Sequence, residues 1–508
     1  MSTTLLHNGR VHGHPEATAV AIEDDRIVFV GDDDAAAAYL GAERVRDVHG
    51  GFVAPGFVDA HVHSVLTGFG LTRLDLRASR NLAEAMAAVA ALAVAQPEGV
   101  LVGTGWEEHS WPEGRPPTAE ELERAAPGRL VLLERRDCHS SVMSLTMMAA
   151  VPDVSARDGF DASGRVERDA RRAASEALGE LIGSDERLQA ARATMHAMAS
   201  MGIAAFHEAA APHIGPAYEI GLIRRAAREV GLLPTVYWGA RDAWDTAAAL
   251  GAAGLAGDLN ADGAIGSRTA ALHTPYDDQP GNRGHAFLSP EDIAGHVVAC
   301  THAGLQAGFH CIGEAVLEAM EEGLRKAEAE VGRERMRASR HRLEHVEMPS
   351  GRLLATMAEL GVVASMQPAF DELWGGPDLM YADRLGSRWR GMNPLGAMAQ
   401  AGVQMAFGSD TPVTPLGPWS TIRAAVCHRD PEQRLDPARA FEAHTRGGWR
   451  AARVDDAGTL EVGSAAHVAV WDCPEGLRDG LPDLDGALPV LDSLYVAGVP
   501  VGEEGDRR

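Results

Sequence analysis

The sequence predicts an α/β chain with a central parallel sheet, framed at both ends by β-structure and interrupted by a long insert. Three observations carry that prediction. Alanine-rich helical patterns, Leu82–Ala95 and residues 315–329, alternate with short strand candidates at 362–366 and 403–407, as in βαβ units. Both chain ends are strand-rich. The stretch from His63 to about residue 190 is too long for a plain strand-to-helix step, so a subdomain is expected there.

The elements follow in order. Asn8-Gly9 is a hairpin signal, and 19–22 and 27–30 read as strands around the acidic turn Glu23-Asp24-Asp25. At the other end 459–462, 468–471 and 493–499 are strand-like, broken by Gly463-Ser464 and Gly498. Residues 1–55 and 455–508 are therefore expected to form one composite β-sandwich, with 56–454 as the α/β unit and its insert at about 70–190. At 508 residues the chain exceeds what one core usually supports, although (β/α)8 barrels routinely run this long.

Composition excludes several functions. Against 46 basic side chains stand 72 acidic ones, a net charge of −26 that argues against nucleic acid and anionic membranes as partners. The start has neither a charged nor an apolar leader segment, and no apolar run approaches the ~18 residues of a spanning helix; a cytoplasmic address is expected. Five cysteines, at 138, 300, 311, 427 and 473, are widely spaced and form no Cys-x-x-Cys, which suits reduced thiols. Cys311 follows His310 directly, but strand neighbours point to opposite faces, so packing is its expected role.

Chemistry enters with Asp59-Ala60-His61-Val62-His63, at the end of an apolar run after Pro55-Gly56. Residues i and i+2 of a strand share a face, so His61 and His63 can hold one metal ion together. An isolated His-x-His pair is weak evidence. Its company decides: Gly308-Phe309-His310, Arg342-Leu343-Glu344-His345 and Phe407-Gly408-Ser409-Asp410-Thr411-Pro412 each close a short apolar stretch.

That order of histidines and a late aspartate resembles the metal-dependent amidohydrolase superfamily. The resemblance implies a TIM-like (β/α)8 barrel with these residues at the C-terminal ends of strands one, five, six and eight, plus a small β-sandwich from both termini. Many binuclear members bridge two metals with a carbamylated lysine. This chain has one lysine, Lys326, within a charged helical stretch where a solvated side chain is expected. The segment Gly257-Asp258-Leu259-Asn260-Ala261-Asp262-Gly263 resembles the YtcJ-like branch, the amidohydrolase 3 or N-substituted formamide deformylase-like group, with Asp258 where that branch usually has lysine. A carboxylate can also span two cations. Asp258 is accordingly the candidate bridge; alternatively it merely ends a strand beside a single metal.

Further motifs support the resemblance from Pro55 to about Asp472: Gly103-Thr104-Gly105-Trp106-Glu107-Glu108, Asp137-Cys138-His139, Ser365-Met366-Gln367-Pro368, Pro415-Leu416-Gly417-Pro418-Trp419 and Gly458-Thr459-Leu460-Glu461-Val462-Gly463. Ala466-His467 departs from the usual Ala-Asp.

The expected metal ligands are His61, His63, Asp258, His310, His345 and Asp410, holding one or two divalent ions, zinc being the best match to imidazole and carboxylate. Asp410 is also the expected catalytic residue, as general base and then acid, though Ser409-Asp410-Thr411-Pro412 could instead open a helix. Arg268 could clamp a substrate carboxylate or form a structural ion pair. Trp106 and His139 are candidates for substrate contact; like His207, Glu208, Gln367 and Trp374, they could equally be packed side chains. Asp262 is expected to shape its loop.

The function so implied is hydrolysis of a non-peptide C–N bond in an amide, formamide or cyclic amide of a small molecule. A mononuclear deaminase, with Glu314 or Glu344 as proton donor, is the alternative; a non-catalytic binding or assembly protein is a third reading. A homodimer is the first expectation for assembly.

Overall fold

The computed structural model describes residues 2–72 and 74–502; residues 1 and 503–508 of the expected sandwich and residue 73 of the expected insert lie outside it. Eight parallel strands form the centre: β1 (Phe57–Val62), β2 (Ile203–Ala210), β3 (Leu233–Trp238), β4 (Gly254–Leu255), β5 (Gln306–Cys311), β6 (Arg342–His345), β7 (Val363–Met366) and β8 (Met405–Phe407). They are neighbours in chain order. The seam between β8 and β1 is drawn together by a parallel bridge between Val62 and Thr411, with the Asp410 N–H on the His61 carbonyl at 2.8 Å and the His63 N–H on the Thr411 carbonyl at 3.1 Å. Every residue of β1, β2, β5, β6 and β7 is buried, as expected of strands covered on both faces.

Helices between the strands begin and end where their chemistry dictates. Pro290–Ala303, ahead of β5, starts on Ser289, whose hydroxyl accepts from the Asp292 N–H while Asp292 reaches back, and stops at Gly304 with φ of 70°. Glu314–Val331 follows β5 and carries Lys326, which pairs with Glu291 at 2.5 Å and Glu322 at 3.0 Å on the surface.

The termini build a two-sheet sandwich. One sheet holds Thr3–His7, Ala19–Glu23, Arg26–Gly31 and Arg44–Asp47; the other joins Arg10–Val11 and Phe52–Pro55 to Val468–Asp472, Val490–Val496 and Val499–Pro500. Leu6, Val20, Ile22, Val53, Val468 and Val470 pack between them. Two expectations are corrected here. Asn8-Gly9 does not close a hairpin, because the strands on either side of it enter different sheets; Asn8 takes a φ of 57° and donates its amide to Asp47, so the turn passes the chain across the sandwich. Residues 459–462 are not a strand: only Leu460 reaches the core, as a plug.

Between β1 and β2 a separate five-stranded sheet runs from Leu74–Asp75 to Arg165–Glu167. The helices Arg168–Leu181 and Ser184–Ser200 lead back to β2. This sheet leans on the barrel mouth, where the Ser267 hydroxyl donates to Asp137 at 2.6 Å and a Cβ on Gly266 would meet Arg135 at 2.6 Å.

Candidate metal centre

The C-terminal ends of the barrel strands converge on one cluster. His61 and His63 leave β1 on the same side, Asp258 lies just past β4, His310 and His345 close β5 and β6, and Asp410 follows β8. His61 Nε2 stands 3.3 Å from Asp258 Oδ1 and 3.5 Å from Asp410 Oδ1; His63 Nε2 stands 3.3 Å from Asp258 Oδ2 and 3.2 Å from Asp410 Oδ1. Two sets of donor atoms lie within 4.8 Å of one another: His61, His63 and Asp258, and then Asp258, His310 and His345. Asp258 belongs to both. The backbone is held in the left-handed region at His345 (φ 71°), at the β-branched Val346 (φ 41°) and at Asp410 (φ 53°), a strain that persists where the surroundings enforce it.

Three of the four histidines, His61, His310 and His345, are aimed by their far sides. His61 Nδ1 meets Glu344 at 2.9 Å, and Glu344 is gripped by Arg342 at 2.5 and 2.9 Å. Arg342 also donates to the Ala60 carbonyl and bonds His207 Nδ1. His345 Nδ1 donates to Gln367 Oε1 at 2.8 Å, and His310 Nε2 to the Gly263 carbonyl at 3.1 Å, which fixes the tautomers and turns the other ring nitrogens inward. A buried polar atom without a partner is costly. Here His61 Nε2 and Asp258 Oδ1, which face each other at 3.3 Å, are both buried without a hydrogen-bond partner, so the donor set fits a divalent cation.

Against burial, Asp258 and Asp410 raise both His61 and His63, so these imidazoles and carboxylates support each other's charged forms. Burial opposes ionisation of Asp258, but His61 and His63 outweigh it and hold the carboxyl well below its ordinary value. Burial and His310 bring His345 down to about 4, leaving it neutral as a ligand must be. Burial raises Glu208 to about 6 against its bonds from Ser64.

Other expected residues fall elsewhere. Arg268 does not face the cavity: its fork is taken by Asp278 at 2.7 and 3.0 Å, an ion pair. Trp106 is buried in the core of the insert and donates to the Leu133 carbonyl at 3.2 Å, away from the residues that line the central cavities. His139 does line the site, its ring 4.8 Å from that of His310. Asp262 accepts from the backbone N–H groups of Ala271, Ile312 and Gly313, shaping the loop. Glu344 is bound to Arg342 and His61, and Glu314 accepts from the His273 N–H, so neither proposed deaminase acid is among the residues lining the central cavities. Cys311 is buried with burial pushing its thiol well up.

Of the pocket walls, Trp374 is named from sequence and the rest are missed. A cavity of about 470 Å³ opens onto Asp258, with Asn260, His213, Arg171 and Phe287 in its lining. On the other side a recess is walled by Phe370, Trp374, Met380 and Tyr381, whose hydroxyl donates to Glu347 at 2.5 Å. Glu347 stood in view two residues past His345; Arg171 lies in an arginine-rich helix that reads as a solvated face.

Fold and site together define a class: barrels that gather histidine and carboxylate donors at the catalytic end of their strands. The chain belongs to the Amidohydrolase family (Amidohydro_3), whose sequence model matches residues 44–499. It is 25% identical to the putative amidohydrolase YtcJ of Bacillus subtilis over 86% of this chain and 84% of that protein. It is 24% identical to the N-substituted formamide deformylase of Arthrobacter pascens, covering 95% and 94% of the two chains. An uncharacterized metal-dependent hydrolase from Pyrococcus horikoshii OT3 shares the fold with a TM-score of 0.74 and 22% identity, over 94% of this chain and 98% of that one.

Proposed function

We propose that the protein is a metal-dependent hydrolase that cleaves a non-peptide C–N bond in an amide, formamide or cyclic amide of a small molecule. His61, His63, Asp258, His310, His345 and Asp410 hold the metal, with Asp258 shared between two ions and zinc the best match to the donors. The observation that carries the reading is that Asp258 belongs to both donor sets at the rim, with its Oδ1 and His61 Nε2 buried and unpartnered. The relation to a formamide deformylase supports the choice of bond.

When bound there, a divalent cation supplies an acidified water and a Lewis acid for the carbonyl. The chain's own residues do the rest. Asp410 Oδ1 takes the proton of the attacking water as the new C–O bond forms, then hands it to the departing nitrogen as the C–N bond breaks. Glu344 and Gln367 keep His61 and His345 in the tautomer that points the free nitrogen inward.

The test is metal content together with turnover. Elemental analysis of protein purified without chelator is expected to give close to two equivalents per chain, and a panel of small amides and formamides is expected to release amine. Chelation should abolish turnover and added zinc restore it. Release of ammonia with one equivalent would favour a deaminase; reproducible absence of metal after loading would overturn the proposal.

A further inference from the structure

The wall of the larger cavity reverses the charge of the molecule. In a chain of net charge −26, its lining brings together Arg168, Arg171, Arg172 and Arg241 against two carboxylates, Asp169 and Asp258. Three of these arginines are paired. Arg168 forks onto Asp158 at 2.7 and 3.1 Å, Arg172 binds Asp169, and Arg241 holds Asp292 at 2.5 Å.

Arg171 differs. Its side chain is 9% exposed, yet it touches Glu134 through a single nitrogen at 3.3 Å. Its Nε and Glu134 Oε2 are both buried without a hydrogen-bond partner. A buried guanidinium has five N–H groups to satisfy, and a buried ion pair is stable only when its geometry is good and its remaining donors are bonded. Arg171 is also, among the described residues, the one arginine lining the inner recess with His63, Asp258, His310, His345 and Asp410. An under-bonded, buried guanidinium beside the reaction centre is a place for a planar anion.

We propose that Arg171 recognises a carboxylate on the substrate, so that the preferred substrates are small amides or formamides carrying a negatively charged carboxylate beside the bond to be cut. The substrate class rests on the hydrolase reading above; the anion subsite does not. The surrounding arginines would also draw an anion toward an otherwise acidic molecule.

Calorimetry on the metal-loaded protein with phenylacetate and the neutral phenylacetamide tests the subsite. Phenylacetate is expected to bind about tenfold or more tightly than the amide, as hydrogen bonds to a charged group imply. Arg171→Met should erase that preference and Arg171→Lys keep part of it. Since Arg171→Met leaves Glu134 buried without its partner, the double variant Arg171→Met, Glu134→Gln is measured alongside and should behave the same. Equal or undetectable binding of the two ligands, or a preference that survives Arg171→Met because the carboxylate goes to the metal, would overturn the proposal. Turnover of N-formylphenylalanine against N-formylphenethylamine separates the two readings. Hydrolysis of both at equal rates, unaffected by Arg171→Met, sinks the subsite and leaves the hydrolase; carboxylate binding that needs Arg171 in a protein hydrolysing no amide does the reverse.

Discussion

Strand β6 carries a histidine beyond each end, or nearly so, and the two behave differently. His341 precedes its first residue and His345 is its last; both are buried, and burial lowers both, to about 3 and about 4. At His341 both ring nitrogens are engaged: Nδ1 accepts from the Ala307 N–H and Nε2 meets the Thr301 hydroxyl, each at 2.9 Å. At His345 only Nδ1 is engaged, by Gln367, and the ring faces the carboxylate cluster. Against β1, His444 from the helix Pro437–His444 bonds the Val58 carbonyl through Nδ1 low on the strand, while His61 stands at its top. Burial and residue type therefore do not separate structural from functional histidines in this barrel. On β6 the engagement of the second ring nitrogen does, and it follows the rule that the N-terminal face of such a barrel serves stability and the C-terminal face chemistry.

The comparison can be broken most sharply at the upper end. Asp410→Asn is expected to lower kcat by about 10²- to 10⁴-fold, the range of general acid–base catalysis, with metal content and fold retained; steady-state kinetics with elemental analysis on the same sample check it, and full activity would refute Asp410's role. Glu344→Gln should weaken metal binding by about 10- to 100-fold, read by competition with a chelator, because His61 loses the carboxylate that orients it. At the lower end His341→Ala should leave metal content and kcat per folded molecule unchanged while costing about 1–3 kcal/mol in urea unfolding, since Ala307 and Thr301 lose a buried partner. The smallest effect is a slope with pH. His341, His444 and His467 are held neutral, at about 3, 4 and 4, against an ordinary value of 6.5. The unfolded chain takes up protons that the folded one refuses, so stability is full above pH 6.5 and falls as pH drops from there toward 4. Unfolding free energies at pH 7, 6 and 5 should show this, and His341→Gln should flatten the slope.

What the sequence discloses follows the range over which its signals act. The helix Leu82–Ala95 is legible residue for residue because its period and Asn81 cap are local. His61 and His63 are legible because a strand sets their common face by geometry, and Asp258 because its surroundings resemble a known branch. Asn8-Gly9 misleads because turn chemistry specifies a bend without specifying which sheet receives the next strand. Arg268 and Trp106 stand in the right motifs, yet their partners, Asp278 and the Leu133 carbonyl, are chosen by tertiary packing. Arg171 is hidden for the same reason: an arginine-rich helix reads as solvated until the barrel mouth closes against it.

The identity of residue 258 has a consequence for how the protein comes alive after synthesis. Where a lysine fills this place, the ligand must be completed by capturing dissolved carbon dioxide, so maturation depends on carbon supply and pH. With Asp258 as the proposed bridge, the carboxylate is genetically encoded, and the one lysine, Lys326, is held on the outer surface by Glu291 and Glu322. Zinc loading of the apoprotein should therefore proceed as fast in degassed, bicarbonate-free buffer as in air, and the finished centre should not decay when carbon dioxide is withdrawn.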